Sequence, residues 1–172
     1  MAATDDGFAK TSRERYGRSL AVAIVTILID QATKELIRRT VAPGESLPVI
    51  QGMFDITHTF NTGAAFGFLG GSSPSFTRPF LIAVSLLAIG FLAYTLVQVK
   101  QMTRLTSIAI GLLVGGASGN LLDRILFGGV TDFLDFHWKG AHWPAFNVAD
   151  SSITIGVVLL LFLMPRAERK SR

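Results

Sequence analysis

The chain has 172 residues, 49% of them hydrophobic and 16% charged, with no cysteine and a formal net charge of +4. That charge content is well below the roughly 25% of a soluble domain, and the apolar residues come in long blocks, which argues against an ordinary soluble domain. The missing cysteines exclude disulfides, thiol nucleophiles and thiolate metal sites. No basic stripe interleaved with aromatics accompanies the positive charge, so nucleic acid is not an expected partner.

In chain order, residues 1–18 are polar, carry Lys10, Arg13, Arg15 and Arg18, and read as a mobile cytoplasmic tail. An apolar run from Leu20 to Ile29 is followed by no A-x-A-like site, which predicts an uncleaved first membrane helix over 20–37. Pro43-Gly44, Pro48 and Gly52 punctuate Val41 to Thr59 and predict short strands and turns. Phe60 to Leu69 is small, apolar and aromatic, like a segment lying at the membrane interface. The second helix is expected over 79–99, about 30 Å long and so one hydrocarbon thickness, and Lys100 and Arg104 mark the turn into a third over 105–125. The loop 126–147 includes GGVTDFLDFHW, whose alternation suits a short extended stretch. A fourth helix is expected over 148–164, before a basic tail at 165–172.

Ten of the sixteen Lys and Arg fall in the two tails and the turn at 100–104. The positive-inside rule therefore puts both termini in the cytoplasm, with 38–78 and 126–147 outside. On that topology Asp30, Lys34, Asn120, Asp123, Arg124, Asn147 and Asp150 reach one outer level from three helices. Ionisable groups at such depth are costly and mark function or mutual pairing.

Each of these groups also has an ordinary explanation. Asp30 and Lys34, four apart, read first as a self-neutralising pair and second as support for a site. Asn120, Asp123 and Arg124 share the end of the third helix, where Arg124 either pairs with Asp123 or holds a substrate carbonyl or a second carboxylate. Asn147 suits the N-cap of the fourth helix, leaving Asp150 in its first turn at the positive dipole end. Asp132 and Asp135, three apart on an extended stretch, point to opposite faces, and Asp135 is expected to be solvated. Gly111, Gly115 and Gly119 form a small-residue stripe for close helix packing. His58, His137 and His142 lack ligand spacing, so neither a metal nor a cofactor is expected. If Asp132 faces Asp150, the two share one proton: the ionised member activates water, and the protonated one polarises a scissile carbonyl and later serves the leaving amine. The spacing does not choose Asp132 over Asp123 for this partnership. Two other classes compete. One is an intramembrane serine protease using Ser118, with Lys34 as base. The other is a small transporter or channel subunit, for which no repeat or mid-membrane polar cluster is visible.

Five segments together resemble lipoprotein signal peptidases: DQATK at Asp30–Lys34, NTGAAF at Asn61–Phe66, GGASGNLLDR at Gly115–Arg124, VTDF at Val130–Phe133 and FNVAD at Phe146–Asp150. The resemblance implies a mostly α-helical polytopic membrane protein of four transmembrane helices, with a small extracytoplasmic β-cradle and an interfacial helix. It implies an aspartyl endopeptidase that cuts diacylglyceryl-modified prolipoproteins just before the lipidated cysteine. The catalytic dyad would be Asp132 and Asp150. Asn61, Asn120, Arg124 and Asn147 would surround the substrate, with Asp30, Lys34 and Asp123 as a supporting polar shell. The expected setting is the bacterial cytoplasmic (inner) membrane, with membrane lipid as neighbour, a monomer as the working unit and the site near the outer face.

Overall fold

A computed structural model describes residues 3–63, 74–98 and 102–163. Its elements are α1 (Ala3–Thr40), β1 (Ser46–Ile50), β2 (Phe54–Asn61), α2 (Pro74–Gln98), α3 (Arg104–Phe127), β3 (Val130–Trp138), β4 (Ala141–His142) and α4 (Val148–Leu163). Two boundaries differ from the sequence reading. The segment expected to be a mobile tail is helical from Ala3 onward, continuous with the apolar run; no proline interrupts it, and the helix runs through Gly7 and Gly17. The second helix opens at Pro74 rather than Pro79, since proline at the first helical position forfeits only an amide that has no helical partner. The extra turn brings Arg78 to the end of α3, where its guanidinium donates to the carbonyls of Arg124 (3.0 Å) and Ile125 (2.9 Å). Residues 64–69 of the expected interfacial segment, Lys100 and the basic residues of the tail at 165–172 lie outside the described residues.

Polarity along the helices is inverted relative to a water-soluble fold. On α1, Ser19, Thr26, Asp30 and Lys34 are buried while Leu20, Ile24 and Leu28 are exposed. None of the apolar window of α2 is buried, against somewhat more than half of that of α3, and both are long and apolar enough to cross a membrane. An apolar exterior around a polar interior is the arrangement hydrocarbon favours.

α3 is the hub, packed by α1, α2 and α4. Its termini are capped by sequence-local devices: the Thr103 side chain accepts from the Thr106 amide, and Gly128, at φ 87°, donates to the Arg124 carbonyl. The glycine stripe lies against α1, with Gly111 meeting Ser19 and Val22 and Gly115 meeting Ala23 and Thr26. Gly116, on the next face, meets α4: a Cβ there would stand 2.5 Å from the Ala149 carbonyl oxygen. Small residues thus let three helix backbones approach closely.

The strands form one antiparallel order, β1-β2-β3-β4. Half of them come from 126–147, a segment expected to hold only one short extended stretch. Lys139 (φ 50°) and Gly140 (φ 83°) make the two-residue β3–β4 turn, both left-handed as a primed turn requires. The register of β2 on β3 shifts between Ile56 and Thr59, so that Thr59 lies opposite Asp132 and Asn61 opposite Val130. One face of the sheet packs Phe133 on Ile37 of α1 and on Val41 just past its end. The opposite edge of β3 binds Phe146, two residues before α4, with Phe133 and Leu134 amides donating to the Phe146 carbonyl at 3.0 and 2.8 Å. This pairing lays the head of α4 beside the start of β3.

Candidate active site

Asp132 is the third residue of β3 and almost fully buried, on the face that residue alternation gives it with Asn61 and Thr59. Its Oδ2 accepts from Asn61 Nδ2 (3.0 Å) and its Oδ1 from Asn147 Nδ2 (2.7 Å). Asn147 caps α4 reciprocally: its Oδ1 accepts from the Asp150 amide (2.9 Å), and Asp150 Oδ2 accepts from the Asn147 amide (3.3 Å). That is a capping box, with Asn and Asp in the two roles. Asn120 of α3 then closes a chain of amides, its Oδ1 accepting from Asn147 (3.2 Å) and its Nδ2 donating to Asp150 Oδ1 (2.8 Å). Asp132 and Asp150 are therefore joined through two asparagines whose polar atoms are all satisfied.

Both acids line a cavity of about 1160 Å³ together with Asn61, Asn120 and Arg124. Arg124 donates to the Asn120 carbonyl (3.3 Å), and its charge lies in the field of Asp150, Asp132 and Asp123. Burial first, and then the negative charge of Asp150, push the Asp132 carboxyl up to about 7, against the pull of Asn61, Asn147 and Lys34.

Behind this cleft lies a second polar layer. Lys34, Asp30 and Asp123 are fully buried, with Lys34 Nζ 2.9 Å from Asp30 Oδ2, 3.4 Å from Asp123 Oδ2 and 2.9 Å from Asn120 Oδ1. Asp30 and Lys34 do neutralise each other, but they also carry Asp123 and orient Asn120, so the pair supports the cleft. Every site residue singled out in the sequence thus falls in one of two adjoining layers. Ser118 is half-buried; no hydrogen bond among the described residues joins it to Lys34, whose ammonium is engaged elsewhere.

Three contributors escaped sequence reading. Gln31 donates to Asp30, Asp123 and the Gly119 carbonyl. Arg38 lies 3.7 Å from Asp123, donates to the Thr131 hydroxyl and stacks over Phe127. Thr131 gives its amide to Asp123 (3.1 Å). The available signals were that Gln31 and Thr131 each adjoin a site acid and that Arg38 lies four residues beyond Lys34. Asp135 corrects an expectation: it is mostly buried rather than solvated, and it binds His142 Nδ1 at 2.9 Å across the β3–β4 hairpin.

Comparison with solved structures defines the class. A bacterial membrane enzyme solved by the in meso method at 2.3 Å superposes with a TM-score of 0.76 at 38% identity, covering 85% of this chain and 86% of its own. A second, solved at 1.9 Å, gives 0.77 at 32% identity, covering 88% and 94%. The chain is thus a mostly helical membrane enzyme with a small antiparallel sheet. Residues 22–166 match the family model for signal peptidase (SPase) II. The lipoprotein signal peptidase of Geobacter metallireducens is 49% identical over 149 residues, covering 87% of this chain and 91% of the relative. That of Geobacter sulfurreducens is 49% identical over 150 residues, covering 87% and 92%. The chain belongs to the signal peptidase II family, the membrane proteases of lipoprotein processing.

Proposed function

We propose that this chain is an aspartic endopeptidase that removes the signal peptide from diacylglyceryl-modified prolipoproteins, cutting just before the lipidated cysteine. The observation that carries this reading is the linkage of Asp132 and Asp150 through Asn147 and Asn120 on the wall of one cavity. Two carboxyls in one partly desolvated site hold a single proton between them near neutral pH. In this reading Asp150, which accepts from Asn120 at the head of α4, is the ionised member and takes a proton from water as its oxygen adds to the scissile carbonyl carbon. The proton on Asp132 polarises the carbonyl oxygen. On collapse a proton reaches the leaving nitrogen, and the pair is left with one proton, as it began.

Arg124 is suited to hold a substrate carbonyl beside the dyad, as a fixed cation with five donors. Ile153, Ile155 and Phe146 offer apolar wall for the peptide, while two acyl chains stay in the bilayer and the peptide enters laterally. In this reading α1 and α4 complete four crossings in the bacterial cytoplasmic membrane. Both termini are cytoplasmic, the site lies near the outer face, and the monomer is the working unit. Purified Asp132→Asn and Asp150→Asn enzymes, each keeping size but losing the charge, should insert normally and lose nearly all cleavage of a lipidated prolipoprotein. Processing by either variant would overturn the dyad.

A further inference from the structure

Asp30 and Asp123 do more than neutralise Lys34. Asp30 Oδ1 accepts from the Ala149 amide at 2.9 Å, and Ala149 immediately precedes Asp150. Asp123 Oδ2 accepts from the Thr131 amide at 3.1 Å, and Thr131 immediately precedes Asp132. Each of these carboxylates therefore grips the backbone one residue ahead of a proposed catalytic acid. The distance between the two grips is passed directly to the two acids.

Lys34 attracts both carboxylates, but a rotatable ammonium is a point charge with little directional demand. Gln31 is directional. Its Nε2 stands 3.1 Å from Asp30 Oδ2, 3.1 Å from Asp123 Oδ1 and 3.1 Å from the Gly119 carbonyl oxygen. The α3 backbone thereby anchors the amide that spans the two acids. The fit is close, since a Cβ on Gly119 would lie 2.5 Å from Asp30 Oδ2. We propose that Gln31 is a positioning residue for the peptidase reaction: by tying Asp30 to Asp123 it sets the head of α4 against the start of β3, and so the spacing of Asp150 and Asp132. This role rests on the dyad reading above.

Gln31 carries no charge, so removing its amide leaves the balance of Lys34, Asp30, Asp123 and Arg38 untouched. That separates positioning from bulk stability. The test uses full-length Gln31→Met and Gln31→Glu enzymes in detergent with a lipidated prolipoprotein, beside Asp132→Asn and Asp150→Asn. For Gln31→Met, which takes its donor from the buried Asp123 Oδ1, the thermal midpoint should fall by only roughly 2–12 °C while kcat, measured well below that midpoint, falls on the order of 10–100-fold with KM little changed, the signature of misplaced reacting groups. The alkaline limb of its kcat–pH profile should also move, because like-charge repulsion within the dyad depends on spacing. Gln31→Glu faces Asp30 and Asp123 with an acceptor in place of a donor. It should lose more activity at alkaline pH and recover toward acid pH, where its carboxyl is protonated and donates again. A Gln31→Met enzyme with wild-type kcat and an unmoved pH limb overturns the proposal. Activity lost only in step with thermal stability, with no acid recovery in Gln31→Glu, overturns it too; the Gln31→Glu profile decides if Gln31→Met fails to accumulate. Cleavage by Asp132→Asn or Asp150→Asn would instead sink the dyad itself.

Discussion

Replacing Lys34 with Met removes a fully buried cation while keeping its length. At an effective dielectric of 20, attraction to Asp30 at 2.9 Å and Asp123 at 3.4 Å amounts to about 6 and about 5 kcal/mol. Desolvating the ammonium consumes several kcal/mol of that. What remains after the substitution is two carboxylates at zero exposure, facing one cation, Arg38 at 3.7 Å, and the neutral donors of Gln31 and of the Ala149 and Thr131 amides. Breaking such a buried pair costs about 3–5 kcal/mol, which for a chain of this size lowers the thermal midpoint by roughly 6–20 °C. Differential scanning fluorimetry in detergent at neutral pH measures this directly. The double variant Lys34→Met/Asp30→Asn leaves one carboxylate, Asp123, facing Arg38, and should recover at least half the loss. A Lys34→Met enzyme melting beside wild type, or a double variant no better than the single, would refute the charge-balance reasoning.

Other outcomes follow from the same geometry. Cleavage should decline as pH rises through about 7, where Asp132 loses the shared proton, as a pH–kcat profile will record. The same raised carboxyl makes the folded state hold a proton that the unfolded chain has lost, so stability should fall as pH rises from near 4 to near 7 and then level off. Asp132→Asn removes that penalty, on the order of 4 kcal/mol, less about 1–3 kcal/mol for the acceptor it forfeits toward Asn61 or Asn147. It should melt higher than wild type at pH 8, and the advantage should vanish toward pH 4. Gly116→Ala places a Cβ 2.5 Å from the Ala149 carbonyl. It should cost about 1–3 kcal/mol by overpacking and lower cleavage by displacing α4, seen in melting and turnover assays. Asp135→Asn alters a hairpin contact with His142 away from the cleft and should leave turnover close to wild type.

Much of this molecule is determined within a few residues of chain. Apolar blocks make the helices, Thr103 and Gly128 bound α3, and Asn147 with Asp150 forms a capping box. The glycine stripe announces close packing because helical spacing alone puts its members on one face. The pairing of Asp132 with Asp150 is of another kind. It depends on a register shift between β2 and β3 and on Phe146 docking against β3. It depends also on Gly116 admitting the Ala149 backbone. Local alternation put Asp132 and Asp135 on opposite faces but said nothing of which face met a helix, nor that Asp135 would find His142 across a turn. Gln31, Arg38 and Thr131 acquire their roles only when α1, α3 and β3 converge, through bonds that join residues 88 to 93 positions apart. Propensity, caps and periodicity act over one or two turns of chain. Which buried donor meets which buried acceptor is decided by packing, because only there does an unpaired polar group become expensive.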